Sequence, residues 1–168
     1  ARRIAAFQRE LLERVRNTPG VQSAGLAAYL PLSGTDNGWG FVIEGRPALR
    51  TGEYNLAKYR PVSPGYFETI GIPLLRGREF ISADNEDAPL VVVINESMAR
   101  RYWGQGNPVT ERLQFGPPIW RTVIGVVGDV RHEGLDAEDP SCMCLLRRRP
   151  TTRREPQSWC ARRSIRSS

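Results

Sequence analysis

Leu90-Val91-Val92-Val93-Ile94-Asn95-Glu96-Ser97-Met98-Ala99-Arg100-Arg101-Tyr102-Trp103-Gly104 is the stretch that sets the fold class. Leu90 to Ile94 is an unbroken aliphatic run, mostly β-branched, and predicts a buried strand. Asn95 is placed to cap a helix, because its side-chain oxygen can accept one of the orphan amide hydrogens of the first turn. Glu96 to Trp103 is that helix, and Gly104 ends it. Strand, cap, helix and stop are thus written in fifteen residues.

The same grammar repeats on both sides. Downstream, Thr110 to Phe115 alternates moderately, and Thr122 to Val130 predicts a strong strand through Val123, Ile124, Val126, Val127 and Val130. Upstream, Leu56 to Val62 reads as a strand and Ser63 to Gly71 as a compact helix. Ser63 is its expected N-cap, Pro64 its first helical position and Gly71 its end. Ile72 to Leu75 is a short strand bounded by Gly77. Nearer the N-terminus, Ile4 to Asn17 predicts an amphipathic helix with Ile4, Phe7, Leu11 and Val15 on one face. Thr18-Pro19-Gly20 stops it. Val21 to Leu32 predicts a strand, ending at Pro31 to Gly34. A polar loop (Thr35 to Gly40) and a short strand, Phe41 to Ile43, follow, with a turn at Gly45 to Pro47. Strands and short helices alternate throughout, which indicates an α+β domain or a pair of ferredoxin-like lobes.

The 168 residues are 40% hydrophobic and 25% charged, a globular composition. No window approaches the roughly 18 apolar residues that a membrane span requires. The chain opens at Ala1-Arg2-Arg3 with neither Met nor an apolar leader, and the expectation is a fragment whose upstream part is absent. The net charge of +6 suggests nucleic acid until it is divided along the chain. Ser141 to Ser168 holds eight arginines and one acid, a net +7; of the chain's 24 basic and 18 acidic residues, this leaves 16 and 17, a net −1, for the body. All three cysteines, Cys142, Cys144 and Cys160, lie in that tail, without the histidines or spacing of a zinc site.

Reactive constellations are missing from the pattern. Gly125-Val-Val-Gly128 lacks the third glycine of a dinucleotide fingerprint and lies inside a strand, where glycine serves a bulge or a close backbone approach. No Gly-Lys-Ser/Thr loop exists. His132-Glu133 has no second histidine, so His132, the single histidine, reads as a solvated turn residue. Ser33, Ser63, Ser82 and Ser97 lack a nucleophile-elbow context. Asp84, Glu86 and Asp87 lack the glycine and terminal glutamate of a calcium loop, and predict a solvated acidic loop. Tyr66-Phe67 and Tyr102-Trp103 read as core aromatics rather than a platform for bases. No catalytic, cofactor-binding or metal-binding residue is expected.

After Pro140 the pattern breaks into Arg and Ser without periodicity. Pro140 to Leu145 can be encoded CCG AGC TGT ATG TGC CTG. The same bases read one position earlier give Glu-Leu-Tyr-Val-Pro, an amphipathic strand. Residues 141–168 are therefore expected to be an out-of-frame, disordered basic tail.

Three ordered segments carry a family resemblance: Val62-Ser63-Pro64-Gly65-Tyr66-Phe67-Glu68-Thr69-Ile70-Gly71-Ile72-Pro73-Leu74-Leu75-Arg76-Gly77-Arg78-Glu79-Phe80, then Val91 to Trp103, then Pro108, Arg112-Leu113 and Val123 to Arg131. Together they resemble the MacB-like periplasmic core domain of FtsX-family ABC transporter permeases, over about Ala1 to Asp139. The family often continues with a Glu-Val/Leu-Tyr-Val/Leu-Pro strand, which matches the alternative frame. The resemblance implies a two-lobed domain: an incomplete ferredoxin-like porter lobe over 1–78, with an exposed edge, and an inserted second α/β lobe over 79–140. It implies a non-enzymatic, extracytoplasmic part of a bacterial inner-membrane export permease. The implied partners are the permease's own transmembrane helices, a cytoplasmic ABC ATPase, a periplasmic partner protein and a second copy, with no nucleic acid. It transfers no reactive residues. Ser63, Pro64, Gly71, Gly77, Asn95, Gly104, Gly125 and Gly128 are its candidate structural positions. The competing readings are a nucleic-acid-binding protein using the Arg-rich tail, whose affinity would fall steeply with salt, and a small soluble hydrolase.

Overall fold

The chain is described by a computed structural model over residues 2–28, 38–47, 50, 53, 55–85, 87–116, 119–129 and 141–145. Its elements run α1 (Arg2–Arg16), β1 (Gly38–Ile43), β2 (Asn55–Val62), α2 (Tyr66–Ile70), β3 (Leu74–Gly77), β4 (Val91–Asn95), α3 (Glu96–Trp103), β5 (Arg112–Gln114), β6 (Trp120–Val127) and β7 (Ser141–Leu145). The fold is α+β with one mixed, seven-stranded sheet in the order β3-β6-β4-β7-β2-β1-β5. β5 pairs antiparallel with β1 and also with β6, so six strands close on themselves in a ring. β3 stands outside the ring, paired with β6 at residues 125–127, beyond the 120–122 segment that β5 occupies.

The aliphatic run of β4 is explained by burial on both faces. Val92 and Ile94 join Phe41, Ile43, Ala57, Leu113, Phe115, Val123 and Val126 in one core, on which Met98 and Ala99 of α3 are packed. Val93 points the other way, into a second core with Val62, Tyr66, Phe67, Ile72, Phe80 and Val127. Period-two alternation along a strand produces this division, and a strand covered on both sides reads as continuous apolar sequence. Tyr66-Phe67 and Tyr102-Trp103 accordingly pack into or against these cores.

Four expectations need correction. Val21 to Leu32 forms no strand within its described part, residues 21–28; a lone antiparallel bridge joins Ala27 to Val62. β1 covers only Lys58 and the residues before it on that edge of β2, which leaves room for one bridge beyond. The expected apolar face of α1 is uncovered: Phe7 is 63% exposed and Leu11 and Val15 are each 39% exposed, while Leu12 is buried. What holds the helix end is polar, since the Arg16 guanidinium donates to the carbonyls of Ala24 (2.8 Å) and Pro64 (2.9 Å). The tail does not lack structure from its first residue, because Ser141–Leu145 fills the sheet between β2 and β4. Asp84 is buried rather than solvated. Glu86, His132, Cys160 and the Arg-rich segment lie outside the described residues.

Candidate functional site

The densest polar constellation sits where β4 hands over to α3. Asn95, the last strand residue, has extended backbone dihedrals, and its Oδ1 accepts the Met98 amide hydrogen at 3.1 Å, as expected of an N-cap. Its Nδ2 donates to Asp129 Oδ1 at 2.6 Å. Asp129, just past β6, also takes the Ser97 amide (2.9 Å) on the same oxygen. On Oδ2 it takes the Ser97 hydroxyl (2.7 Å) and Arg100 Nη2 (3.2 Å). Arg100 in turn pairs with Glu96 at 3.8 Å. One carboxylate thus ties the parallel strand β6 to the first turn of α3, where the helix dipole favours a negative charge.

Ser97 in this setting donates its hydroxyl hydrogen to a carboxylate that also accepts from Asn95, the Ser97 amide and Arg100. Among the described residues no cluster of three or more His, Cys, Asp or Glu is placed to hold a metal. The arrangement fixes β6 against the start of α3. Asn95→Ala should therefore cost more than a bare cap, about 2 kcal/mol instead of about 1, because a donor to Asp129 is lost with the cap. A urea midpoint series with Asn95→Ser, whose hydroxyl can accept the cap amide without setting a second carboxylate against Asp129, separates the two contributions.

The remaining candidates are placed as follows. Ser63 does not cap α2. The N-cap is Gly65, at φ 82° and with no side-chain bond, and Pro64 precedes the helix instead of opening it. The Ser63 hydroxyl accepts the Leu26 amide hydrogen at 2.8 Å and donates to the Pro64 carbonyl at 3.2 Å, pinning the 24–28 segment to the end of β2. Gly25, absent from the candidates, makes that contact tight: a Cβ there would stand 2.6 Å from Tyr66 Cα. Gly71 is left-handed (φ 70°) and its amide donates back to the Glu68 carbonyl at 3.2 Å, closing α2. Gly104 (φ 60°) closes α3 through the Arg100 carbonyl at 3.0 Å.

Gly77, Gly125 and Gly128 act together. Gly77 and Gly125 are register partners across β3 and β6. A Cβ on Gly77 would strike the Ile124 carbonyl oxygen, and one on Gly125 would strike that of Arg78. The register against β4 slips by one between Val123 and Gly125, a bulge that leaves Ile124 as the extra residue. Gly128 donates its amide to the Pro73 carbonyl at 2.9 Å, and a Cβ would crowd the Pro73 ring. Beside this seam, Arg78 makes a two-pronged bond to Asp84 (2.7 and 2.8 Å), and Asp84 also accepts the Ile81 amide. The bond to Asp84 raises the Arg78 pKa, desolvation opposing it. Burial, with the Glu68 charge second, pushes the Glu79 carboxyl above the usual range.

A model of the MacB-like periplasmic core domain matches residues 3–149, which includes β7. Among solved structures, the periplasmic region of MacB from Actinobacillus actinomycetemcomitans is similar at 17% identity and a TM-score of 0.54, over 80% of this chain and 53% of that one. A domain assigned to a permease protein of Porphyromonas gingivalis is similar at 17% identity and a TM-score of 0.51, over 81% and 56%. At such identity the likeness is one of fold, and this chain spans about half the length of either. No curated protein matches it.

Proposed function

Because the chain belongs to the family of MacB-like periplasmic core domains, we propose that it is a non-catalytic scaffold in the extracytoplasmic part of a bacterial ABC-type export permease. Transmembrane helices of the same protein would hold it at the inner membrane, and a cytoplasmic ATPase would drive it. It would pass that motion to a substrate or a periplasmic partner, as one half of a homodimer. The observation that carries this reading is the use made of the polar side chains: Asn95, Ser97, Asp129, Ser63 and Asp84 are consumed in fixing elements against one another. Among the described residues no helix is long and apolar enough to cross a membrane.

The test uses the full-length permease with its ATPase in lipid vesicles, labelled at Phe7→Cys on the exposed side of α1. The distance from that label to the bilayer surface should change between the nucleotide-free and ATP-trapped states. No change would overturn the transmission reading. Apolar spans should also be encoded on either side of this segment at its genomic locus.

The proposal extends to two lobes, an incomplete ferredoxin-like porter lobe over 1–78 and an inserted lobe over 79–140. Each of the two cores draws residues from both segments, and the pairing of β3 with β6 ties the segments together across Arg78. It extends as well to an altered reading frame from Ser141. In the alternative frame Glu-Leu-Tyr-Val-Pro replaces Ser141 to Leu145 position for position. Positions 142 and 144, in register with the fully buried Ile94 and Val92, would then be Leu and Val, and position 141, in register with Lys58, would be Glu. The nucleotide sequence through codon 140 decides it.

A further inference from the structure

α1 leaves an apolar face open. Phe7, Leu11 and Val15 stand four residues apart and form one ridge along it, yet they are 63%, 39% and 39% exposed. Leu12, about 100° round the helix from Leu11, is buried by the rest of the chain. Beyond Phe7 the ridge is bordered by Glu10 and Arg14, an exposed ion pair at 2.6 Å. The apolar stripe thus lies between a side packed on the domain and a side left to water. A cover for Leu11 and Val15 therefore stands beside α1 in its own layer, with Phe7 at the rim. Straight i, i+4 ridges pack into the grooves of a second helix. A 15-residue helix with an open apolar face is also marginal by itself.

We infer that a second amphipathic helix of the same permease, encoded downstream of β7, docks on Leu11 and Val15. Polypeptide is available for it, since this chain spans 53% and 56% of its two solved relatives. With an apolar span expected upstream, the remaining periplasmic polypeptide follows β7. A ridge of three side chains is far smaller than the roughly 800 Å² per partner that holds separate proteins together. A segment of the same chain needs no such area, because it is already held close. A lipid surface is a poorer match, because Glu10 and Glu13 interrupt the basic residues of the polar face. The occupant should carry apolar residues at spacings of three and four. The inference rests on the family reading proposed above, but it does not require the transmission of ATP-driven motion.

The experiment places the photo-cross-linker benzoylphenylalanine at position 11 of the full-length permease in lipid vesicles and maps the adduct by mass spectrometry. The expected product is a cross-link within one polypeptide, to a segment downstream of β7 with that apolar spacing. A cross-link between two copies, to lipid or to residues 1–145 would overturn the inference. So would a downstream segment without the spacing. Thiol accessibility, read at the peptide level, decides the case in which no adduct forms. Leu11→Cys and Val15→Cys in the full-length permease should react with a water-soluble maleimide at least about tenfold more slowly than Arg9→Cys, which lies exposed on the other side of the helix. Equal rates at the three positions would overturn the inference. The expected cross-link, combined with a label distance at Phe7 that ignores ATP, would remove the transmission reading alone.

Discussion

Gly125→Val should strip β3 from the sheet and destabilise the fold by about 3 kcal/mol, seen as a lower urea midpoint. The side chain has nowhere to go. A Cβ at Gly125 meets the carbonyl oxygens of Arg78 and Arg76, backbone atoms that move only if the strand moves. Displacing β3 uncovers Gly128, whose amide bond to Pro73 is part of the same seam, and loosens Phe80 over the second core. Gly71→Ala is the control. Gly71, unlike Gly125, sits in the left-handed region, and nothing lies within 4 Å of its would-be Cβ, so only the left-handed backbone cost of about 1 kcal/mol should appear. Equal losses at the two positions would mean that the close approach of β3 to β6 contributes nothing.

Asp129→Ala should cost a similar amount, about 3 kcal/mol, by leaving the Asn95 amide, the Ser97 amide and the Ser97 hydroxyl without their acceptor. Asp129→Asn keeps one acceptor oxygen and should lose roughly half as much. The coupling with Asn95 is the sharper measurement. Because the two side chains share a bond, the double variant Asn95→Ala/Asp129→Ala should lose less than the sum of the singles by about 1 kcal/mol. Strict additivity would mean that the node is two independent contacts.

What the sequence revealed tracks the distance between partners. The cap at Asn95 and the stops at Gly71 and Gly104 are bonds within a single turn, so their signals lie side by side in the chain. The strands β4 and β6 announced themselves because burial on both faces leaves an unmixed aliphatic run. Ser63 was misread for the opposite reason. The local pattern Ser-Pro-Gly suits a cap, but the hydroxyl is taken by the Leu26 amide, 37 residues away. Asp129 went unnoticed because its partners lie 29 to 34 residues back, and Gly128-Asp129 after a strand was the only trace. α1 shows the limit of periodicity: Phe7, Leu11 and Val15 do share a face, but amphipathy cannot tell whether a covering surface is present. Ring closure was hidden too, since nothing local in Arg112–Gln114 says that it pairs on both edges.

The position of β7 between β2 and β4 also bears on how the protein is made. While the ribosome is still translating the first 140 codons, β2 and β4 must wait with their facing edges bare, because the strand that bridges them emerges after both. Such late, long-distance pairing is slow, and unfilled edges invite neighbouring nascent chains. Synthesis that halts or goes astray near residue 141 would therefore release a product primed to stick, and cells making it should need a holding chaperone more than the mature fold does.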